Sequence, residues 1–382
     1  MCLICRRIFN RTSLLLFFVL CLTLFFQTRA EAAENVDISA KAAILIDESS
    51  GRVVFARNER QRLPQASLTK IMTALLVIEH GDLDEKVEIS EYAAETGESS
   101  IWLEKGEVLS RNELLYALML NSANDAAVAL AESVAGSEEL FVSQMNRRVR
   151  TLHLGDTHFA NPHGLDAEGH YSSAYDLASL AREGLKNPLF RKVVTTKQMD
   201  IPWSDHPWNR SLGNRNQLIT RYQGARGVKT GYTNKAGSCL VGAAQRGELK
   251  LISVVLNSCD IYSDTEKLLD YGFDNCETVV LAEKNGVKRV QVKKGNSEFV
   301  PVRLEREATV AVLPGEKEKL SFQCELNENI EAPVKKGTVL GVGRVLLNGK
   351  EIDRIDYLAQ EDVQKKPPLW IAVFNWIKSL FS

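Results

Sequence analysis

This sequence of 382 residues lacks the cysteine and histidine spacings that mark common metal and redox sites. The cysteines outside the first 32 residues show no Cys-x-x-Cys spacing of a zinc or redox site, and their pairing stays open: Cys239, Cys259, Cys276 and Cys324. No His-Glu-x-x-His pattern occurs, so His158 and His163 are interpreted as loop residues and not as metal ligands. A net charge of -2 provides no basic excess for nucleic acid. These absences argue against a thiol redox protein, a metalloenzyme and a nucleic-acid binder.

The N-terminus has the pattern of a secretory signal peptide. Three arginines precede an apolar run from Leu14 to Phe26, and Ala30-Glu31-Ala32 provides a small-x-small cleavage site. We therefore predict that residues 1–32 are a signal peptide and that the mature chain is exported. The alternative is an uncleaved transmembrane anchor.

The C-terminus carries a short amphipathic segment. Residues 369–382 are largely apolar and include two tryptophans, with polar side chains on one helical stripe: Asn375, Lys378, Ser379 and Ser382. The segment is shorter than the ~20 residues that a bilayer-spanning helix needs. We expect it to lie on the outer face of the cytoplasmic membrane, after a linker that starts near residue 361. The alternative is a terminal helix packed on its own domain.

Between these ends, two textures indicate two domains. Residues 33–276 read as strands, a block of helices and again strands, which predicts an α/β fold with one antiparallel sheet covered by helices. Residues 277–360 alternate short apolar runs with Gly, Asn and Pro turns, which predicts a small all-β domain. Asn348-Gly349 is a strong hairpin signal within it.

A serine and a lysine three residues apart open a nearly all-apolar helix. Ser67 and Lys70 would share one helical face, and Gly81 is the expected C-terminal cap. A neutral lysine in this position could take the proton of the serine hydroxyl and make it a nucleophile. Taken alone, the pair is better explained as a helix N-cap beside a solvated lysine.

Two further short motifs follow in order. Ser122-Ala123-Asn124 interrupts an apolar helical stretch, which a purely structural sequence has little reason to do. Lys229-Thr230-Gly231 lies in a predicted strand and is the only Lys-[Ser/Thr]-Gly of the chain. The three motifs together form the set found in class A β-lactamases and penicillin-binding proteins.

With these motifs, the sequence resembles the low-molecular-weight penicillin-binding proteins, which are serine-type D-alanyl-D-alanine carboxypeptidases. Two further stretches carry the likeness, Asn161-Pro162-His163-Gly164-Leu165 and Val228 to Thr233. The resemblance covers nearly the whole mature chain and implies the penicillin-binding/β-lactamase-like transpeptidase fold. Tyr232 is a departure, because the family pattern has histidine there.

The resemblance implies a role for each motif residue. Catalysis would use Ser67 as nucleophile, Lys70 as base and Ser122 as proton relay to the leaving amine. Substrate contacts would come from the other motif positions: Asn124 to the amide, Lys229 and Thr230 to the terminal carboxylate, Gly231 beside them, and the Tyr232 N–H with that of Ser67 as oxyanion hole. Peptidoglycan pentapeptide stems and β-lactams would be the partners, with no metal or organic cofactor.

Three alternatives stay open at this point. A class A β-lactamase needs a deacylating glutamate, and the candidate Glu183 with Asn187 reads better as a helix terminus. A non-catalytic cell-wall binding protein would have a decayed site, although every motif residue is present. Some acyl transfer to an amine is also compatible with the motifs.

Overall fold

The computed structural model describes residues 36–204 and 206–366. The predicted signal peptide and the predicted C-terminal helix fall outside these ranges, and both stay predictions. Within the described ranges, no helix combines the length and the hydropathy needed to cross a membrane.

The first domain contains nine strands in the described residues. They are β1 (Ala42–Asp47), β2 (Val53–Arg57), β3 (Lys86–Glu88), β4 (Val108–Ser110), β5 (Gln198–Ile201), β6 (Arg210–Gly213), β7 (Ala225–Thr233), β8 (Gly237–Arg246) and β9 (Leu249–Ser258). Five of them form an antiparallel sheet in the order β2-β1-β9-β8-β7, so the first strands of the domain pair with the last. The prediction of one antiparallel sheet closed by distant strands is confirmed.

The helices of this domain lie between and around those strands. They are α1 (Lys70–His80), α2 (Glu91–Ala94), α3 (Arg111–Tyr116), α4 (Asn124–Ala135), α5 (Glu138–Thr151), α6 (Ala174–Lys186), α7 (Pro188–Thr195), α8 (Leu218–Arg221) and α9 (Ile261–Asn275), with a 3₁₀ turn at Ala66–Thr69 and a π turn at Ala117–Asn121. Both α6 and α9 pack against β1 and β9. All six residues of β1 are buried, as expected for a strand covered on both faces.

Helix α1 lies at the centre of the helical layer. Its residues from Lys70 to Leu75 are all buried, and it packs against α4, α6 and α7. The helix ends at Gly81, whose φ of 81° suits glycine, so the predicted C-terminal cap is confirmed. The apolar run after Lys70 therefore fixes the first turn of α1 in the middle of the domain.

Local hydrogen bonds explain where several helices begin. The pattern Ser110-Arg111-Asn112-Glu113 predicts a capping box. The structure has it at the start of α3, where the Ser110 hydroxyl accepts from the Glu113 N–H and the Glu113 carboxylate accepts from the Ser110 N–H. Residues 83–110, which the sequence leaves unassigned, hold the β3–β4 pair and α2. The β5–β6 hairpin is also absent from the sequence prediction.

Among its described residues, the second domain contains strands and one 3₁₀ turn, at Lys317–Lys319. Its strands are β10 (Glu277–Ala282), β11 (Lys288–Lys293), β12 (Phe299–Leu304), β13 (Ala308–Val312), β14 (Leu320–Leu326), β15 (Ile330–Glu331), β16 (Val339–Leu347) and β17 (Lys350–Ala359). Six form a sheet in the order β14-β16-β17-β12-β11-β15, and β10 pairs with β13. Asn348-Gly349 connects β16 to β17, which confirms the predicted hairpin.

Polar contacts join the two domains at the β1–β2 hairpin. The Ala311 N–H in β13 donates to the Asp47 carboxylate at 3.2 Å. The Arg52 guanidinium donates to the Ala311 carbonyl and pairs with the Glu316 carboxylate at 2.6 Å. Both side chains of that ion pair are largely buried, so the junction is ordered on each side.

Candidate active site

The predicted nucleophile lies in the 3₁₀ turn that leads directly into α1. Residues three apart eclipse each other in a 3₁₀ turn, which brings Ser67 against Lys70. The distance from Lys70 Nζ to Ser67 Oγ is 3.1 Å. Ser67 therefore precedes the α-helix and is not part of its first turn, but the side-chain juxtaposition is the one expected.

Lys70 is fully buried and has three polar neighbours. Besides Ser67, its Nζ donates to Asn124 Oδ1 at 2.7 Å and to the His163 carbonyl at 2.5 Å. A neutral amine has two N–H groups and one lone pair. If Asn124 and His163 take the two hydrogens, the lone pair is left for the Ser67 hydroxyl. The three neighbours thus match the valence of the uncharged lysine.

The surroundings of Lys70 favour this uncharged form. Burial lowers the pKa of Lys70 well below its ordinary value, and the Lys229 and Arg215 cations lower it further, against an opposing effect of Asp125. The role of base, which the resemblance gives to Lys70, requires a neutral amine, and a nearby Lys229 with partial burial would favour one. In the structure the burial is complete, and it is the largest cause of the lowered pKa.

A second network holds the turn before the nucleophile. Ala66 adopts a φ of 49°, and its carbonyl accepts a hydrogen bond from the Thr69 hydroxyl at 2.9 Å. His170 Nε2 lies 2.8 Å from Thr69 Oγ1, while His170 Nδ1 accepts from the Ala160 N–H at 2.9 Å. Nδ1 is therefore the acceptor and Nε2 carries the hydrogen. Burial lowers the pKa of His170 to about 4, so the ring is neutral near pH 7.

The loop at residues 161–165 closes beneath this turn. Gly164 has a φ of 99°, and a Cβ placed on it would lie 2.0 Å from the Ala66 carbonyl oxygen. Only glycine tolerates both the left-handed backbone and this close approach. The Asn161 side chain fixes the loop by accepting from the Gly164 N–H and donating to the Leu165 carbonyl. The His163 carbonyl is thereby held in place for Lys70.

The second motif lies where a π turn meets α4. The π turn Ala117–Asn121 ends at Ser122, which has a left-handed φ of 60°, and α4 begins at Asn124. Such insertions into helices are frequent at functional sites. The Ser122 side chain is 5 % exposed, and its hydroxyl has no hydrogen-bond partner within the described residues. This unpaired hydroxyl is available to a substrate or a proton.

The third motif lies on β7, at one edge of the sheet. Lys229 is buried and donates to the Thr230 carbonyl at 3.2 Å. Burial, followed by the Arg215 cation, lowers the pKa of Lys229 to about 7. A Cβ on Gly231 would lie 3.0 Å from the Ser67 nitrogen, so β7 abuts the nucleophile turn. Tyr232 is exposed, and its hydroxyl donates to Asn234 Oδ1 at 3.2 Å.

Arg215 is a member of this site that sequence reasoning missed. It follows β6 in a segment without a sequence assignment, and its guanidinium donates to the Ser99 hydroxyl at 2.9 Å. Its charge lowers the pKa of both buried lysines. No short motif marks this position, because the β5–β6 hairpin that delivers it has no recognisable pattern in the sequence.

Two cavities open at Ser67. One has a volume of about 340 Å³, and its lining includes Asn124, Leu165 and Asp166. The other has a volume of about 360 Å³ and is lined by Ser122, Arg215 and Thr230 among others. The candidate residues thus surround a cleft that passes the Ser67 hydroxyl.

The carboxylate considered for a β-lactamase reading lies on α6 in a structural role. Glu183 accepts from Lys186 at 2.7 Å and from Arg148 at 3.2 Å. It lines neither cavity at Ser67. These contacts agree with the interpretation of Glu183 as a structural residue near the end of a helix.

Comparison with known families and proteins gives a consistent result. Residues 27–260 match the family described as D-alanyl-D-alanine carboxypeptidase, and residues 277–365 match the C-terminal domain of penicillin-binding protein 5. The chain is 38% identical over 336 residues to the D-alanyl-D-alanine carboxypeptidase DacF of Bacillus subtilis, covering 85% of this chain and 86% of that protein. It is 33% identical to DacC of Escherichia coli, covering 90% of both.

Solved structures agree with the sequence comparison. Penicillin-binding protein 5 of Haemophilus influenzae superimposes with a TM-score of 0.68 at 31% identity, covering 86% of this chain and 98% of that one. The D-alanyl-D-alanine carboxypeptidase DacD of Francisella tularensis gives a TM-score of 0.65 at 29% identity, covering 87% of this chain and 96% of that one. Both likenesses extend across the sheet domain and the β domain.

Proposed function

The chain belongs to the D-alanyl-D-alanine carboxypeptidase family of serine hydrolases, and on this premise we propose the role of each residue in the cleft. The reaction of the family removes the terminal D-alanine of peptidoglycan stems. The observation that carries the assignment is the fully buried Lys70, with the Ser67 hydroxyl as its third neighbour.

Acylation begins with proton transfer from Ser67 to the neutral Lys70. The Ser67 oxygen then forms a bond to the carbonyl carbon of the penultimate D-alanine, and the carbonyl electrons move to its oxygen. The Ser67 and Tyr232 N–H groups stabilise that oxyanion. Collapse of the intermediate breaks the C–N bond to the terminal D-alanine. Water later attacks the resulting ester and restores Ser67.

The leaving amine needs a proton as the C–N bond breaks. Ser122 is suited to deliver it, because its buried hydroxyl has no partner among the described residues and lines the same cavity as Thr230. Lys70 holds the proton taken from Ser67 and can pass it on through this hydroxyl. Asn124 keeps Lys70 in place through its Oδ1, its Nδ2 donates to the Gly97 carbonyl at 2.9 Å, and the residue lines the stem side of the cleft.

The free carboxylate of the substrate is recognised by charge. Arg215 and the Thr230 hydroxyl line the Ser122 side of the cleft, and the buried Lys229 adds a second cation beside Thr230, to whose carbonyl it donates. A peptide without a terminal carboxylate would leave both cations unpaired, which explains a preference for the chain end. A β-lactam presents a carboxylate and an acyl carbonyl in the same relation, so Ser67 is its expected point of attachment.

The pH dependence of turnover tests these roles. Lys70 must be unprotonated, so kcat/KM should rise with pH as its lowered pKa is passed. Lys229 must be protonated to bind carboxylate, so kcat/KM should fall as pH rises through its pKa of about 7 in the free enzyme. Bound carboxylate favours the charged lysine, so the falling limb of kcat should lie at higher pH.

The matched variant is Lys229→Arg, measured on a soluble D-Ala-D-Ala pentapeptide. Arginine stays charged throughout, so the falling limb of kcat/KM should disappear while the rising limb stays. A wild-type kcat/KM that still increases above pH 9, with the same profile in the variant, contradicts the role given to Lys229.

We further propose that the mature protein acts outside the cytoplasm, held to the outer face of the membrane by residues 369–382. The support is the sequence alone, because both the leader and this segment lie outside the described residues. A chain that ends at Lys366 should be soluble, whereas the full chain should sediment with membranes. Trp376→Glu should weaken sedimentation, and Asn375→Gln on the polar stripe should leave it unchanged. A truncated chain that still sediments rules out this anchor.

A further inference from the structure

A group of aromatic side chains that the proposed chemistry does not use lies beside the cleft. The Trp203 and His206 rings stack with centroids 4.4 Å apart, and His206 and Trp208 lie 5.5 Å apart. Arg210 lies over the Trp203 ring at 4.6 Å and donates to the Trp102 carbonyl at 3.2 Å. We call Trp102, Trp203, His206 and Trp208 the indole platform.

Two members of the indole platform are strongly exposed. The Trp102 side chain is 71% exposed and that of Trp208 is 60% exposed. Large aromatic residues normally bury most of their surface, and exposed groups of them mark binding surfaces. The fold therefore leaves both of these residues largely in solvent.

Trp102 also has an unfavourable backbone conformation. Its φ is 57°, in the left-handed region that bulky side chains rarely adopt. Its own N–H donates to the Ser100 hydroxyl, and the neighbouring Ile101 and Leu103 N–H groups both donate to Asp125 at 3.1 Å. The hydrogen bonds of its neighbours thus hold Trp102 in a strained conformation, although the residue itself is barely buried. Such strain is concentrated at functional sites.

Two segments of the chain connect the indole platform with the substrate cleft. Ser99 lines both cavities at Ser67 and precedes Trp102 by three residues, which limits their Cα separation to about 11 Å. Arg210 begins β6, and the segment after β6 carries Arg215 into the cleft. Whatever occupies the platform is therefore close to a stem bound at Ser67.

We propose that the indole platform binds pyranose rings of the glycan strands in peptidoglycan, an inference that rests on the proposed function. Four stem residues separate a strand from the scissile bond and span about 14 Å when extended. A stem bound at Ser67 thus keeps a strand within reach of the platform. The C–H face of a pyranose packs on an indole face, while its hydroxyls and acetamido groups need polar neighbours. His206 supplies one through its Nε2, since its Nδ1 lies 2.9 Å from the Ser204 carbonyl.

Charge favours this neutral occupant over an anionic membrane. Among the described residues, the cation that contacts the indole platform is Arg210, which is buried and pairs with the buried Glu107 at 2.9 Å. A surface that binds anionic lipid needs exposed basic residues. The platform instead offers aromatic faces over a neutralised charge, which suits an uncharged sugar.

The test compares a polymeric with a soluble substrate. In the double variant Trp102→Gly/Trp208→Ala, glycine suits the positive φ at position 102, so the fold should keep its thermal stability. D-Alanine release from intact pentapeptide-rich peptidoglycan should fall roughly tenfold, because two stacking contacts are lost. The kcat/KM for a free pentapeptide should stay within about twofold. Phe299→Ala, which removes an exposed ring from β12, is the control and should alter neither rate.

Direct binding gives an independent readout. Triacetylchitotriose should change the indole fluorescence of the wild type and of Phe299→Ala but not that of the double variant. Equal losses on both substrates would show a structural role and overturn the proposal. So would unchanged release from peptidoglycan, or binding of anionic vesicles through these rings without a sugar response. A wild type that releases no D-alanine from either substrate refutes the proposed function instead. The chitotriose titration then still tests whether the indole platform binds sugar.

Discussion

Ser67→Ala should reduce D-alanine release from a pentapeptide by roughly four to six orders of magnitude. The substitution removes the group that forms the acyl bond. The two cavities at Ser67 stay in place, as do Lys229 and Arg215, the cations proposed to bind the substrate carboxylate. KM should therefore change little compared with kcat. Stability should also be nearly unchanged, because Ser67 is only partly buried and the 3₁₀ turn is held by Thr69 and Ala66. Release of D-alanine, followed at saturating substrate, measures the effect.

Benzylpenicillin provides the second measurement on the same pair of proteins. The wild type should gain the mass of one penicilloyl group on the peptide that contains Ser67, and Ser67→Ala should gain none. Ser137→Ala is a suitable control, since it removes the N-cap of α5 and about 1 kcal/mol of stability without touching the cleft. An adduct on another residue, or a Ser67→Ala variant that retains turnover, contradicts the assignment of the nucleophile.

Lys70→Met should lower kcat by about three orders of magnitude, within the range for removal of a general base. Methionine fills a similar volume but cannot accept the Ser67 proton. It also leaves the Asn124 and His163 oxygens without their donor, which should cost roughly 1–3 kcal/mol for each unpaired group. The thermal midpoint must therefore be measured beside the rate, and the rate compared at a temperature where both proteins are folded.

Rescue separates the chemical role of Lys70 from its structural one. A small primary amine such as methylamine should restore part of the activity of Lys70→Met, because it can enter the vacated space and take the proton. The same amine should not rescue Ser67→Ala. A folded Lys70→Met variant that keeps more than about a tenth of the wild-type kcat rules out the lysine as the base.

The sequence predicts the organisation of the domain well where the pattern is local or strongly periodic. The capping box at Ser110, the end of α1 at Gly81 and the turn at Asn348-Gly349 each follow from a few adjacent residues. The pairing of β1 with β9 is non-local, but the order of strands and helices along the chain indicates it. These features need no knowledge of tertiary contacts beyond the need to bury one face of a sheet.

The candidate site is predicted only in part, since some of its members act through contacts between distant segments. Ser67, Ser122 and Lys229 carry motif signals, whereas Arg215 and His170 carry none and are brought in by loops. The complete burial of Lys70 depends on how α1 packs, so the sequence underestimates it. The interruption at Ser122 is visible in the sequence, but its form as a π turn is a result of packing in the helical layer.

The bonds between the β1–β2 hairpin and β13 have a mechanical consequence. Asp47 and Arg52 form hydrogen bonds with the main chain of Ala311. Tilting one domain against the other must therefore break buried polar bonds. A force applied at the end of the β domain would then move both domains together as one body. If the C-terminal segment is tethered to a surface, the β domain works as a strut of fixed length.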